Sequence, residues 1–372
     1  MFNPIILYMI LLSYIFIQIM WGFTKESALS SSRISYLLVV VILGFLIRKT
    51  PNYQNKIQNA SFWFICYTLI IVVFDSFYAN TILSEIFSTC FWGITFMHTS
   101  RMKITDDIMK SIAYVMSITA NIIALIYIVQ QPQFSFIDDF ARRIGAINSI
   151  YYVFLLLPFV FLLKKWWISS LFAIIPFYSF LISQKTTCVI CVCVIIAYTI
   201  YKNIKSLPVI QRFRFIVLMI AIGCIAYNMI DFHQIFFEIN EDIGLGGNGR
   251  VDIAAKVLDL MATEVNPFYI VFGHGVNSIS KTIGIGGHND FLEVVYCYGV
   301  VGLATYLFLW YSLIRYWLKE NLNMITKKAF AISLILFIFT SLSSKLVGTQ
   351  IGMVPLALFW GVVIANKNVT RT

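Results

Sequence analysis

Residues 1–23 read MFNPIILYMILLSYIFIQIMWGF, an apolar run with no Lys or Arg before it. A cleaved secretory signal needs a basic start, a shorter apolar core and a small-residue cleavage site. All are missing, so the run reads as a helix long enough to cross a bilayer, for which about 20 apolar residues suffice. The rest of the 372-residue chain repeats this theme, with apolar blocks separated by short polar hinges. With 60% hydrophobic and only 12% charged residues, and a mean hydropathy of +0.84, a soluble globular fold and a disordered chain are both excluded. No stretch alternates with period two over a strand long enough to span a membrane, which excludes a β-barrel. The fold class expected is therefore an all-α polytopic integral membrane protein.

Twelve spans are expected, at 3–23, 33–48, 60–79, 81–99, 109–130, 147–163, 166–184, 186–201, 213–230, 290–317, 327–344 and 347–366. The second is short and needs Arg33 and Arg48 to snorkel; Pro158, Pro176 and Pro355 fall inside spans, where they predict kinks. Placing the N-terminus in the cytoplasm puts 18 of the 27 basic residues on the inner side. The positive-inside rule then predicts that both termini are cytoplasmic. The net charge of +10 is explained by this topology, so no nucleic-acid partner is expected. Membrane lipids are.

The whole chain, 1–372, reads as a single transmembrane domain whose one long outer segment is 231–289, between spans nine and ten. Loops of this length usually carry function. Within it, Val251 to Thr263 predicts a short amphipathic helix with an apolar stripe of Val251, Ala254, Leu258 and Met261. The seven cysteines lie in apolar spans; even the Cys188-x-x-Cys191 pair reads as packing rather than redox chemistry. His98 reads as an interfacial residue at an inner boundary, and Asp75 and Glu85 as charges near the outer ends of spans three and four.

Three of the four histidines, His233, His274 and His288, fall in the outer segment. Arg142 and Arg143 stand together on the side where basic residues are disfavoured, and Arg250 opens the expected loop helix. A helix N-terminus with an arginine makes an anion cradle, so these three form a candidate pyrophosphate clamp. The glycines of 244–249 lack the strand and the Lys-Ser/Thr of a nucleotide loop. Residues 286–308, GGHNDFLEVVYCYGVVGLATYLF, are the densest constellation. Asp290 and Glu293 are spaced as a capping box, and His288 precedes the positive helix end, which keeps its imidazole neutral as a base. Gly299 and Gly302 would allow close helix contact. The spacing of His274, His288 and Asp290 matches no standard metal pattern, so neither metal nor other cofactor is expected.

The pattern His288-Asn289-Asp290-x-Leu292-Glu293, five residues, then Gly299-x-x-Gly302-Leu303, resembles the motif of the O-antigen ligase and polymerase (Wzy-type) superfamily. Arg142-x-x-Gly145-x-x-Asn148 and Gly249-Arg250 are similar to further features of that family. The resemblance implies a GT-C-like fold in the bacterial inner membrane with a periplasmic active site. It implies an O-antigen polymerase, a metal-independent glycosyltransferase of lipopolysaccharide biosynthesis. Undecaprenyl-pyrophosphate-linked oligosaccharide would be both donor and acceptor, with a chain-length regulator protein as a further candidate partner. On this reading His288 is the general base of an inverting displacement, Arg142, Arg143 and Arg250 hold the pyrophosphate, and Asn289, Asp290, Glu293 and His274 support the base or the sugar. An O-antigen ligase acting on lipid A-core is the near alternative, and a polyprenol-linked oligosaccharide flippase the distant one.

Overall fold

The computed structural model describes residues 3–22, 42–44, 46–47, 56–79, 83–136, 148–183, 185–204, 249–284, 286–287, 289–344, 346 and 352–369. Helix accounts for 85% of these residues, and among them there is no strand. The principal helices are α1 (Pro4–Gly22), α2 (Lys56–Ala79), α3 (Leu83–Thr99), α4 (Asp106–Gln130), α5 (Ile150–Val160), α6 (Trp166–Ile182), α7 (Thr186–Ile204), α8 (Gly249–Thr263), α9 (Pro267–Phe272), α10 (Ser278–Ile283), α11 (Asp290–Lys319), α12 (Met324–Ser343) and α13 (Val354–Val369). Among the described residues three are long and apolar enough to cross a membrane: α4 with its continuation to Gln133, α11, and α12. The apolar sequence gives the reason: in hydrocarbon each backbone polar group must be satisfied internally, and a helix does this within one segment.

Helix α4 is central, packing against α1, α5 and α6; α13 lies across α3 and α5, and α12 bridges α5, α7 and α11. Every residue of α5 is buried. Hydrogen bonds collect one set of helix ends together: Gln58 Nε2 donates to Ser100 Oγ (2.8 Å), Asn366 Nδ2 to Asp106 Oδ1 (2.9 Å) and Lys367 Nζ to the Asn321 carbonyl (2.8 Å). Lys328 Nζ lies 5.7 Å over the Phe161 ring. Arg101, Lys103, Lys164, Lys165, Lys319 and Lys327 lie in or beside these same helix ends.

Several expectations are corrected. The span expected at 147–163 is an eleven-residue helix, Ile150–Val160. The last expected span, 347–366, begins only at Val354, because Pro355 lies in the first turn, where proline's missing N–H costs nothing. His98 lies in the last turn of α3, at the end expected for it, and is buried there. The loop helix exists as α8, but its buried residues are Ile253 and Val257, with Leu258 exposed; the stripe is turned from the expected Val251–Ala254–Leu258–Met261 line. The span at 213–230 and most of that at 33–48 lie outside the described residues.

The largest correction concerns α11, expected to cross as one rod over 290–317. Its backbone leaves helical geometry at Gly299 (φ 66°, ψ −170°). Phe291 and Trp310 have ring centroids 6.2 Å apart, whereas a straight helix would separate these positions by about 28 Å. Tyr306 Oη likewise reaches Asp290 Oδ2 at 3.1 Å. The element is a hairpin: arm 290–298 folds back along arm 300–319. The second arm alone is about 30 Å long, enough to span hydrocarbon.

Candidate functional site

The hairpin corner is built on Gly299. Its φ and ψ fall in a region essentially reserved for glycine, and a Cβ there would run into the Val271 carbonyl. Ending arm 290–298 so abruptly strips its last carbonyls of helical partners. The preceding loop supplies replacements: His274 N–H donates to the Tyr296 carbonyl and Gly275 N–H to that of Cys297, both at 3.0 Å. From α2, Tyr67 Oη donates to the Tyr298 carbonyl (2.7 Å) and approaches that of Phe272 (3.3 Å). Gly273 (φ 82°) lies so close to the Cys297 carbonyl that no side chain fits.

His274 is stacked between Tyr269 (4.6 Å between centroids, 14°) and Tyr296 (4.5 Å, 20°). Its Nε2 lies 3.3 Å from Glu264 Oε2. Burial pushes the imidazole pKa below the usual histidine value, and the facing Glu264 carboxylate opposes that shift without reversing it. His274 is thus a neutral ring in an aromatic sandwich, and its backbone is part of the corner.

The His-Asn-Asp segment starts the first arm. Asn289, not Asp290, is the cap: its Oδ1 accepts from Phe291 N–H (2.9 Å) and Leu292 N–H (3.2 Å), and its Nδ2 donates to the Leu342 carbonyl (3.3 Å). The expected Asp290–Glu293 capping box does not form, because with the cap one residue earlier Glu293 falls past the box position. Glu293 Oε1 instead accepts from Gly287 N–H at 2.7 Å, while Cys297 Sγ donates to Oε2 at 3.5 Å. Asp290 is fully buried. Its Oδ1 accepts from Leu346 N–H at 2.6 Å and its Oδ2 from Tyr306, whose oxygen is also 3.0 Å from Ser341 Oγ. Both carboxyl groups are therefore braces, tying arm 290–298 to the second arm, to the end of α12 and to the loop before the motif.

Of the sequence-predicted residues, Asn289, Asp290, Glu293 and His274 are brought to one hairpin. Arg250 lies in the first turn of α8, as expected, with its side chain outside the described set; His288, Arg142 and Arg143 lie outside the described residues. The backbone on either side of His288 is held, at Gly287 by Glu293 and at Asn289 by the cap. Among the described residues no three His, Cys, Asp or Glu side chains form a group suited to a metal. Sequence reasoning missed Tyr67, Tyr269, Tyr296, Tyr306 and Glu264. A tyrosine in an apolar run carries no signal of its partner; only Gly273-His274-Gly275, a histidine between two glycines, marked an unusual backbone.

The fold is that of a mostly helical protein, with helices among the described residues long and apolar enough to cross a membrane. No protein-family model matches the chain, and no curated protein matches it in sequence.

Proposed function

We propose that this chain is a surface-polysaccharide polymerase of the O-antigen type, working on undecaprenyl-pyrophosphate-linked repeat units at the periplasmic face of a bacterial inner membrane. The observation that carries the reading is the anchoring of Gly287 and Asn289, the residues that flank His288 in sequence. A general base must be held within hydrogen-bond reach of the hydroxyl it deprotonates. Here the residues on either side of His288 are anchored by Glu293 and by the Asn289 cap, beside the positive end of arm 290–298. The gathering of lysine-bearing helix ends at one end of the bundle supports a cytoplasmic assignment for that end, and so an outward-facing motif.

In the proposed reaction Arg142, Arg143 and Arg250 stabilise the pyrophosphate as it leaves the anomeric carbon, while His288 takes the proton of the acceptor hydroxyl. Asp290 and Glu293 act through position, holding the hairpin from which the histidine is presented. Both termini are cytoplasmic in this topology of twelve spans.

Deleting the gene tests the reading. Loss of polymer with surface lipopolysaccharide capped by a single repeat unit is expected. Bare core with polymer retained on the lipid carrier would make the protein a ligase, and lipid-linked repeats accumulating on the cytoplasmic face would make it a flippase. In the restored strain, His288→Ala should abolish polymer at normal membrane levels, and unchanged polymer would remove it as the base.

A further inference from the structure

Helix α9, Pro267-Phe-Tyr-Ile-Val-Phe272, is apolar on every face and has no buried residue. Val265 just before it is 92% exposed, Phe268 54% and Ile270 46%. A short helix with this surface has no stable place in water, where contiguous exposed apolar patches mark contact sites. Yet α9 is not loosely attached. Its Val271 carbonyl abuts Gly299, its Phe272 carbonyl accepts from Tyr67, and its Tyr269 stacks on His274.

The hairpin sets its depth. Arm 300–319 covers about 30 Å, the thickness of the hydrocarbon layer, with Lys319 at the lysine-bearing end and Gly299 at the other. Helix α9 therefore sits at the far boundary of the layer. The spanning arm exposes Val300, Leu307, Phe308, Tyr311, Ile314 and Leu318, the apolar belt of a helix that faces lipid. The exposed residues of α9 extend that belt past Val300.

We propose that residues 265–272 are a membrane-seated ledge, whose exposed side chains contact the acyl chains of the leaflet nearest the hairpin corner. Part of the long segment between the ninth and tenth expected spans is thus not an aqueous loop. The Asp290–Tyr306–Ser341 cluster lies about 10 Å nearer the bilayer centre than the ledge, since Tyr306 is seven residues inward of Gly299. The inference rests on α11 spanning a membrane and not on glycosyl transfer, so it stands or falls independently of the proposed reaction.

Spin labels test it. Cysteines are introduced singly at Val265, Phe268 and Ile270, and at exposed Asp259 of α8 as a reference, in full-length protein with Cys66, Cys193 and Cys224 changed to serine. Each variant is reconstituted in phosphatidylethanolamine–phosphatidylglycerol nanodiscs, and collision with oxygen is compared with collision with a water-soluble nickel chelate. The expected result is an oxygen-to-nickel accessibility ratio several-fold above that of position 259 at all three ledge positions. Nickel access equal to that at 259 would overturn the proposal in favour of an aqueous face. Low access to both reagents would overturn it in favour of a protein partner or a second copy. Because three positions are read separately, a label that perturbs one leaves the others decisive.

Discussion

The α4–α5–α12–α13 bundle and the α9–α11 hairpin are built on opposite principles. In the bundle, α5 is buried along its whole length, and rings interlock across helices: Phe159 with Phe359 at 5.4 Å, Phe337 with Trp360 at 5.2 Å, Phe330 with Phe359 at 6.2 Å. Many contacts of similar size share the load. In a bilayer such packing has no hydrophobic drive between helices, and van der Waals fit does the work. The hairpin instead depends on a few named groups: one glycine conformation, two loop amides, the Tyr67 hydroxyl and the Asp290 carboxyl. Distributed packing tolerates local change; a corner held by single groups does not.

Gly299→Ala should test this contrast most severely. The substituted residue would need a backbone region costing about 1–3 kcal/mol for a non-glycine, and its methyl would meet the Val271 carbonyl. Complete loss of surface polymer with normal membrane insertion is expected; retained polymer would show that the corner is dispensable. Next in size is Asp290→Ala, which leaves the Leu346 amide without its acceptor and the Tyr306 hydroxyl with Ser341 alone. At about 1–3 kcal/mol for each buried donor left unsatisfied, a clear fall in detergent-solubilised melting temperature follows. Asp290→Asn keeps one acceptor oxygen and should lose less than half as much. Equal losses would mean that the carboxyl is not a brace.

Tyr67→Phe should cost about 1 kcal/mol and act locally, raising amide exchange around residues 298–302 more than in α5. Ile332→Val in the bundle core should cost a similar ~1 kcal/mol, yet leave exchange at the corner and polymer yield unchanged. A corner response to Ile332→Val would erase the distinction between the regions. The smallest effect belongs to His274. Because burial lowers its pKa in the folded protein, the unfolded chain binds its proton first as pH falls. Stability from this group is therefore full above the ordinary histidine pKa and declines through acidification below it. Melting curves should show that slope in wild type and a shallower one in His274→Gln; a steeper slope in the variant would reverse the assignment.

Apolar length made much of the bundle legible: helices α1, α4, α6 and α12 lie close to where uninterrupted apolar runs placed them. The hairpin was not legible, for a physical reason. Val294 to Trp310 carries no charged residue, and hydropathy reports what a residue can be immersed in, not whether the chain doubles back. Gly299 looks like any small residue at a helix contact. The cap was ambiguous because Asn289 and Asp290 are both good capping residues, and only the amide geometry chose between them. In α8, the stripe of Val251, Ala254, Leu258 and Met261 interleaves with that of Ile253, Val257 and Leu260 at the same helical spacing, so periodicity alone fixed the helix but not its rotation. The site was half legible: the motif pointed to Asn289, Asp290 and Glu293, but to their chemistry rather than their bracing.

The bond from Leu346 to Asp290 spans 56 residues of sequence, and that separation orders the birth of the protein. At roughly 5–20 residues per second of synthesis, the aspartate waits some 3 to 11 seconds after leaving the ribosome's catalytic centre before its amide partner exists. During that interval the first arm has neither its brace nor the end of α12 to lie against. The hairpin is therefore closed late, only when Leu346 arrives. A nascent chain stalled before Leu346 would carry the whole His288 motif in an unfinished setting, exposed to membrane quality control.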